Sequence, residues 1–240
     1  MGAALLDRVG TLRQAALFRT FSDFDLCELA QHATVRRLRR DECLVYEGEQ
    51  AKGLLILADG AVRAYREGSD GREQVLCIEQ PVTTLNELQL FDGGPHPASI
   101  SACEESLVLR VPFAHCRHYP HFASTALELM SERLRNAFEL VHSLSLLSVE
   151  QRLARFLLEQ ADSTRTCPQQ GLRVELTMSN QQIGAVVGAV REVVSRCLSK
   201  LHKRGLIVFS GRTVAIPDEA RLNRFISSSR ANREVRAAAS

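Results

Sequence analysis

The sequence predicts an α+β chain in three parts: an antiparallel β-roll, a long amphipathic helix, and a helical unit closed by a hairpin. Three observations carry this. Between Thr34 and Val111 apolar residues recur in short runs with a period of two, separated by turn signals. From Leu127 to Leu144 they recur at alternating spacings of three and four. From Ser179 to Ile216 two helical patterns run directly into a hairpin pattern.

Ser22, followed by Asp23, Asp25, Leu26 and Leu29, reads as a helix N-cap with acids in the first turn, opening a short helix to about Ala33. The strand runs are Val35, Leu44–Tyr46, Leu54–Leu57, Ala61–Tyr65, Val75–Ile78, Ala98–Ala102 and Leu107–Val111. Between them stand Glu47-Gly48-Glu49, Asp59-Gly60, Gly68-Ser69-Asp70-Gly71 and Asp92-Gly93-Gly94-Pro95. Short strands at this spacing predict a jelly-roll-like β-roll, so residues 1–120 form a first domain with helices at its start.

Residues 121–147 read as a long helix whose seam is Leu127, Met130, Leu134, Ala137, Val141 and Leu144. Glu128, Glu132, Arg133, Arg135, Asn136 and Glu139 flank it. A stripe this narrow suits a seam between two chains better than the wider face a helix lays on its own domain. It predicts a parallel homodimer.

Ser148 with Gln151 three residues on is a capping box, opening a helix over Val149–Ala161 and marking a domain boundary. Cys167-Pro168-Gln169-Gln170-Gly171 reads as a turn and Arg173–Leu176 as a short strand. Ser179 caps a helix through Val187; Gly188-Ala189-Val190 turns the chain; a second helix points Val194, Leu198 and Leu201 inward. This is helix-turn-helix spacing, in which the second helix can enter a major groove. Its other face carries Arg191, Glu192, Ser195, Arg196, Ser199, Lys200 and Lys203. Arginine can take guanine O6 and N7 bidentately, glutamate can accept from cytosine N4, and lysines suit phosphates. Leu206–Phe209, a Ser210-Gly211-Arg212 turn and Thr213–Ile216 form a wing with Arg212 at its tip. Residues 148–226 are thus predicted to be a winged helix-turn-helix that binds DNA, and 227–240 a disordered tail. The predicted DNA-binding set is Ser179, Asn180, Gln181, Arg191, Glu192, Ser195, Arg196, Lys200 and Arg212.

The 240 residues are 45% hydrophobic and 24% charged, which excludes a disordered or fibrous chain. No run of about 18 apolar residues and no signal-peptide pattern occurs, which predicts a soluble cytoplasmic protein without membrane contact. Seven cysteines without a CxxC pair predict reduced thiols and no zinc site. Net charge is −5 over residues 1–148 and +7 over 149–240. The basic part suits a polyanion, or is simply a solvated face.

Ile183-Gly184, Val187-Gly188 and Arg191-Glu192-Val193-Val194-Ser195-Arg196 resemble the recognition signature of the Crp/Fnr family of bacterial transcription regulators. Asn86-Glu87-Leu88-Gln89-Leu90-Phe91 resembles its looser effector-loop motif, and the order of elements matches over nearly the whole chain. The resemblance implies a cyclic-nucleotide-binding-like β-roll that senses an effector, a dimerisation helix, and a winged helix-turn-helix. It implies as partners double-stranded DNA with a near-palindromic operator, a second copy of the chain, and RNA polymerase.

The effector pocket that the resemblance implies would use Asn86, Glu87, Leu88, Pro97, Ala98, Ala137 and Phe138. In the family's cyclic-AMP-binding members an arginine and a serine hold the cyclic phosphate where this chain has Pro97 and Ala98. Ala137 and Phe138 stand where a Thr-Ser pair reads the purine, and Asn86 replaces the motif's glycine. A cyclic phosphate there would lose its cationic and hydroxyl partners, which argues against cyclic AMP. The iron-sulfur ligands of the Fnr branch form an N-terminal cysteine cluster, whereas this chain has only Cys27 and Cys43 near its start, which argues against that cofactor. His115, His118 and His121, with His96 on a turn, leave a haem- or metal-based redox or gas sensor as the alternative; a polar turn interrupted by Pro120 explains the cluster equally. No metal ligand set is assigned and the cofactor is left unknown. A β-barrel metal-dependent oxygenase would need histidines on the strands from Val35 to Val111, where there are none. A sensor with a degenerate DNA unit would not need Arg191, Glu192 and Arg196. The sequence therefore predicts a non-enzymatic, sequence-specific, signal-controlled regulator.

Overall fold

The computed structural model describes residues 3–116, 119, 122–163, 172–210 and 213–237. The chain forms two compact units, Met1–Ala137 and Phe138–Ser240, divided within one long helix.

The first unit opens with α1 (Ala3–Gln14), a 3-10 turn (Ala16–Phe18) and α2 (Asp23–His32). Ser22 caps α2 as expected: its hydroxyl accepts from the Asp25 N–H at 3.2 Å, and the Asp25 carboxylate accepts from the Ser22 N–H at 3.1 Å. Eight strands follow, β1 (Thr34–Leu38), β2 (Cys43–Val45), β3 (Gly53–Asp59), β4 (Val62–Glu67), β5 (Glu73–Glu79), β6 (Thr83–Thr84), β7 (Ser99–Ala102) and β8 (Ser106–Pro112). Helix α3 (Glu87–Asp92) sits between β6 and β7, and α4 (Phe113–Cys116) follows β8. The strands make two antiparallel sheets, ordered β1-β8-β3-β6 and β2-β7-β4-β5. Leu44, Val45, Leu55, Leu57, Val62, Ile100 and Val108, from both sheets, fill the interior of the roll. The outer face of β3 and β8, with Leu54, Ile56, Leu109 and Val111, packs on Leu12, Phe18, Leu29 and Phe122 of the helices. Covered on both faces, β3 carries the unbroken apolar run Leu54–Leu57 in place of an alternating pattern.

Helix α5 (Phe122–Leu146) buries Phe122, Thr125 and Ala126 in its first turns. Beyond them the apolar seam is uncovered: Leu127 is 67% exposed, Leu134 56% and Val141 61%.

The second unit contains α6 (Val149–Ser163), β9 (Arg173–Glu175), α7 (Asn180–Val187), α8 (Arg191–Lys203), β10 (Val208–Ser210), β11 (Thr213–Ala215) and α9 (Glu219–Ala237). The capping box at its start is present, with the Ser148 N–H donating to Gln151 Oε1 at 3.0 Å and the Gln151 N–H to Ser148 Oγ at 3.3 Å. Leu153, Leu157, Ile183, Val194, Leu201, Ile207, Val214 and Leu222 form its core. The sheet order β10-β11-β9 makes the hairpin part of a three-stranded sheet.

Helix α9 runs to Ala237, over most of the segment expected from the sequence to be a tail from 227. Beyond Ile226, the last residue seen packed on the core, the segment lacks Gly and Pro and holds three Arg and two Ala, which favour helix, beside three Ser. The predicted Cys167–Gly171 turn lies outside the described residues. Among the described residues no helix is long and apolar enough to cross a membrane.

Candidate nucleic-acid interface

Ser179 opens α7 through a reciprocal capping box: its Oγ accepts from the Gln182 N–H at 3.2 Å, and Gln182 Oε1 accepts from the Ser179 N–H at 2.9 Å. Gln181 is exposed and Asn180 half-buried beside it. The helix stops at Gly188, whose φ of 66° lies in the left-handed region that suits glycine. The chain then doubles back so tightly that the Ala189 N–H donates to the Gly184 carbonyl at 2.9 Å. A Cβ at position 184 would stand 2.3 Å from the Ala189 carbonyl oxygen, so only glycine fits there.

Helix α8 follows immediately. Val194, Cys197, Leu198 and Leu201 face the core, which leaves Arg191, Glu192, Ser195, Arg196 and Ser199 on the exposed face. Among the described residues, the side chains of Arg191, Glu192, Ser195 and Arg196 have no hydrogen-bond or ion-pair partner. Val190 supplies no side-chain cap, so the first N–H groups of α8 also stay open, at the end of a helix that attracts anions. Lys200 differs from its neighbours: it pairs with Glu150 of α6 at 2.8 Å, and Arg204 joins the same carboxylate at 3.1 Å. Both cations are more than half exposed, so these pairs steady α8 by no more than about 1 kcal/mol each and can be exchanged for phosphate.

Arg152 supplies a second anchor that the sequence reading missed. Its guanidinium donates to the carbonyls of Val187 at 2.6 Å and Gly188 at 3.2 Å, at the end of α7. It also donates to Leu144 at 3.2 Å and Leu147 at 3.0 Å, at the end of α5. One planar cation thus satisfies carbonyls left open at two helix C-termini, which also favour positive charge. Burial lowers its pKa from the ordinary arginine value.

The wing strands pair Val208 with Ala215, Phe209 with Val214 and Ser210 with Thr213. The His202 ring rests 5.6 Å from that of Phe209 and its Nδ1 lies 3.2 Å from the Ile207 carbonyl, joining α8 to β10. Arg212, the predicted wing tip, lies outside the described residues.

The seven residues expected to form an effector pocket differ in burial. Leu88, Pro97, Ala137 and Phe138 are exposed, while Asn86, Glu87 and Ala98 are buried. Asn86 serves the fold: its Oδ1 accepts from the Leu55 N–H at 2.8 Å and its Nδ2 donates to the Gly53 carbonyl at 3.0 Å. That bridge pins α3 to β3, which the motif's glycine could not do. Glu87 accepts from Thr84 Oγ1, and Arg133 of α5 lies 3.4 Å from it and 3.6 Å from Glu79. Burial raises the Glu87 pKa, with Arg133 opposing. Polar partners in this region are therefore already engaged with one another. His115 stacks on His32 with centroids 3.7 Å apart, and His118 and His121 lie outside the described residues.

Comparison with known proteins agrees with this geometry. A family model described as a Crp-like helix-turn-helix domain matches residues 151–225, and one described as a cyclic nucleotide-binding domain matches 35–118. The chain is similar to the CRP-like cAMP-activated global transcriptional regulator of Mycobacterium tuberculosis, at 29% identity over 217 residues, covering 89% of this chain and 97% of the relative. It is similar to the cAMP-activated global transcriptional regulator Vfr of Pseudomonas aeruginosa, at 30% identity over 201 residues, covering 80% and 92%. Among solved structures, FixK2 from Bradyrhizobium japonicum superposes with a TM-score of 0.67 at 29% identity, covering 80% of this chain and 96% of that one. With a β-roll, a long helix and a winged helix-turn-helix in this order, and relatives of this kind over most of its length, the chain belongs to the Crp/Fnr family of transcription regulators.

Proposed function

We propose that the protein works in the cytoplasm as a homodimer that reads a near-palindromic operator in double-stranded DNA and needs no catalysis. The carrying observation is the exposed face of α8, where Arg191, Glu192, Ser195 and Arg196 have no partner among the described residues. Charged groups held on a rigid helix without internal partners are suited to base edges and phosphates. Ser179, Asn180 and Gln181 at the start of α7, together with Lys200 and Arg212, complete the surface toward the backbone. Pairing with a second copy is supported by the seam, in which Leu127, Leu134, Ala137 and Val141 are exposed and Met130 and Leu144 half-buried; in this reading the two α8 helices of the dimer meet half-sites about one DNA turn apart. Contact with RNA polymerase is the expected route to transcription.

Cyclic AMP is not the signal in this reading, although the two relatives above are named for activation by it. Pro97 and Ala98 offer no cation or hydroxyl, and Glu87 and Arg133 bind each other. Operator selection from random DNA, followed by affinity measurement with and without cyclic AMP, tests both parts. A palindromic consensus bound equally in both conditions is expected. A cyclic AMP dissociation constant in the micromolar range with roughly tenfold tighter DNA binding would refute the ligand reading.

A further inference from the structure

A cleft of about 570 Å³ opens on the first unit, between β1, β2 and the segment from Tyr46 to Gly53. It is within the ordinary size of a small-molecule site, and none of the residues expected to hold an effector lines it. Its floor is apolar: Leu44, Val45 and Leu55 belong to the core of the roll. Its rim is cationic, with Arg36, Lys52 and Arg110.

These cations are not equivalent. Arg36 is committed, donating to the carbonyls of Leu44 and Cys43 at 3.1 Å each and pairing with Glu42 at 2.9 Å. Among the described residues Arg110 and Lys52 have no acid within ion-pair distance. Antiparallel pairing of β1 with β8 sets Thr34 opposite Arg110 and Arg36 opposite Val108, so Arg36 and Arg110 are diagonal neighbours on one face. Two guanidiniums so placed repel, and Glu42 offsets this at Arg36 but not at Arg110.

His96 completes the wall. It is only 4% exposed, yet its ring has no hydrogen-bond partner among the described residues. Its main chain is fixed, donating to the Glu49 carbonyl and accepting from the Gly48 N–H, each at 2.8 Å. Burial, aided by Arg110, lowers the His96 pKa while Glu49 raises it, which favours the neutral ring that can donate one hydrogen bond. Glu49, the acid on the wall, accepts from the Tyr46 N–H at 3.1 Å through one oxygen and keeps its charge. The ring is packed into the wall with no protein partner among the described residues, while its nitrogens stay open to the cleft, where they can bond water or a ligand.

We propose that this cleft binds a small organic carboxylate with an apolar body, the carboxylate held by Arg110, Lys52 and the His96 ring and the body resting on Leu44, Val45 and Leu55. Tyr46 at the rim would cover the body. The site shares no residue with the set expected to hold an effector and stands independently of the DNA-reading proposal. It lies close to α3, because Gln89 of that helix donates to the Pro95 carbonyl at 3.3 Å, one residue before His96.

The test is calorimetric titration of the full-length protein with benzoate and hexanoate, with benzyl alcohol and inorganic phosphate as neutral and purely anionic controls. One saturable site per chain is expected for at least one carboxylate. Binding should weaken roughly tenfold or more in Arg110→Gln, as loss of a charge-assisted hydrogen bond requires. Lys52→Gln, at an exposed position where folding is not at stake, should weaken it in the same direction. Absence of saturable binding by both carboxylates up to roughly 10 mM overturns the proposal. So does equal binding by both variants, or benzyl alcohol or phosphate binding as tightly as the carboxylates.

Discussion

Gly184 and Ala189 approach so closely across the helix-turn-helix corner that a Cβ on residue 184 would stand 2.3 Å from the Ala189 carbonyl oxygen. The obstacle is backbone, which cannot swing aside, and Gly184 is buried among α7 and α8. Gly184→Ala should therefore cost about 1 to 3 kcal/mol of stability by overpacking, despite the better helix propensity of alanine. Urea unfolding of the variant checks this. An unchanged or raised midpoint would show that the corner relaxes.

Arg152→Ala should free the carbonyls of Leu144, Leu147, Val187 and Gly188 together. Hydrogen exchange should quicken at both helix ends and operator affinity should fall, while the proposed dimer should be unaffected. Arg152→Lys should restore little, because an ammonium cannot span the fork that guanidinium supplies. Full rescue by lysine would mean that charge alone matters.

Leu134 lies mid-seam and is 56% exposed in the single chain. Leu134→Glu would bury a carboxylate between two helices if the proposed dimer forms, a change costing about 3 to 5 kcal/mol when uncompensated. Sedimentation should give a monomer with collapsed operator affinity but unaltered circular dichroism. An intact dimer would remove this seam from the account.

Glu87 gives a pH dependence with a definite sign. Burial raises its pKa in the folded state, so the folded protein holds the proton more firmly than the unfolded chain. Its contribution is then fully present below the ordinary glutamate pKa and is lost as pH rises through the raised folded value. Glu87→Gln, which keeps the shape without the charge, should be more stable than the parent at pH 7, and the gap should close toward acid. Thermal melts of both proteins across pH 3.5 to 7.5, chosen to span roughly the ordinary glutamate range, measure it. A variant less stable than the parent at pH 7 would mean that the Arg133 pair outweighs desolvation.

Much of this molecule is legible in the sequence because its local signals agree with its tertiary ones. The caps at Ser22, Ser148 and Ser179, the period-two runs of the roll and the inward stripe of α8 are each set within a few residues. What stays hidden depends on residues far apart in the chain. Arg152 looks like any helix arginine until α7 returns 35 positions later to present its carbonyls. Asn86 reads as a flawed effector motif, and only the fold reveals its hydrogen bonds to β3 across 31 and 33 positions. The cleft beside His96 joins residues from Arg36 to Arg110 and has no contiguous signature.

The central claim is that the exposed face of α8 reads bases, and Arg196→Ala tests it most directly. Dissociation constants of parent and variant are measured on a selected operator and on random DNA at one salt concentration. The account predicts a loss of about 1 to 3 kcal/mol on the operator, with a much smaller loss on random DNA, so that base preference flattens. An equal loss on both would make Arg196 a phosphate contact and contradict the claim.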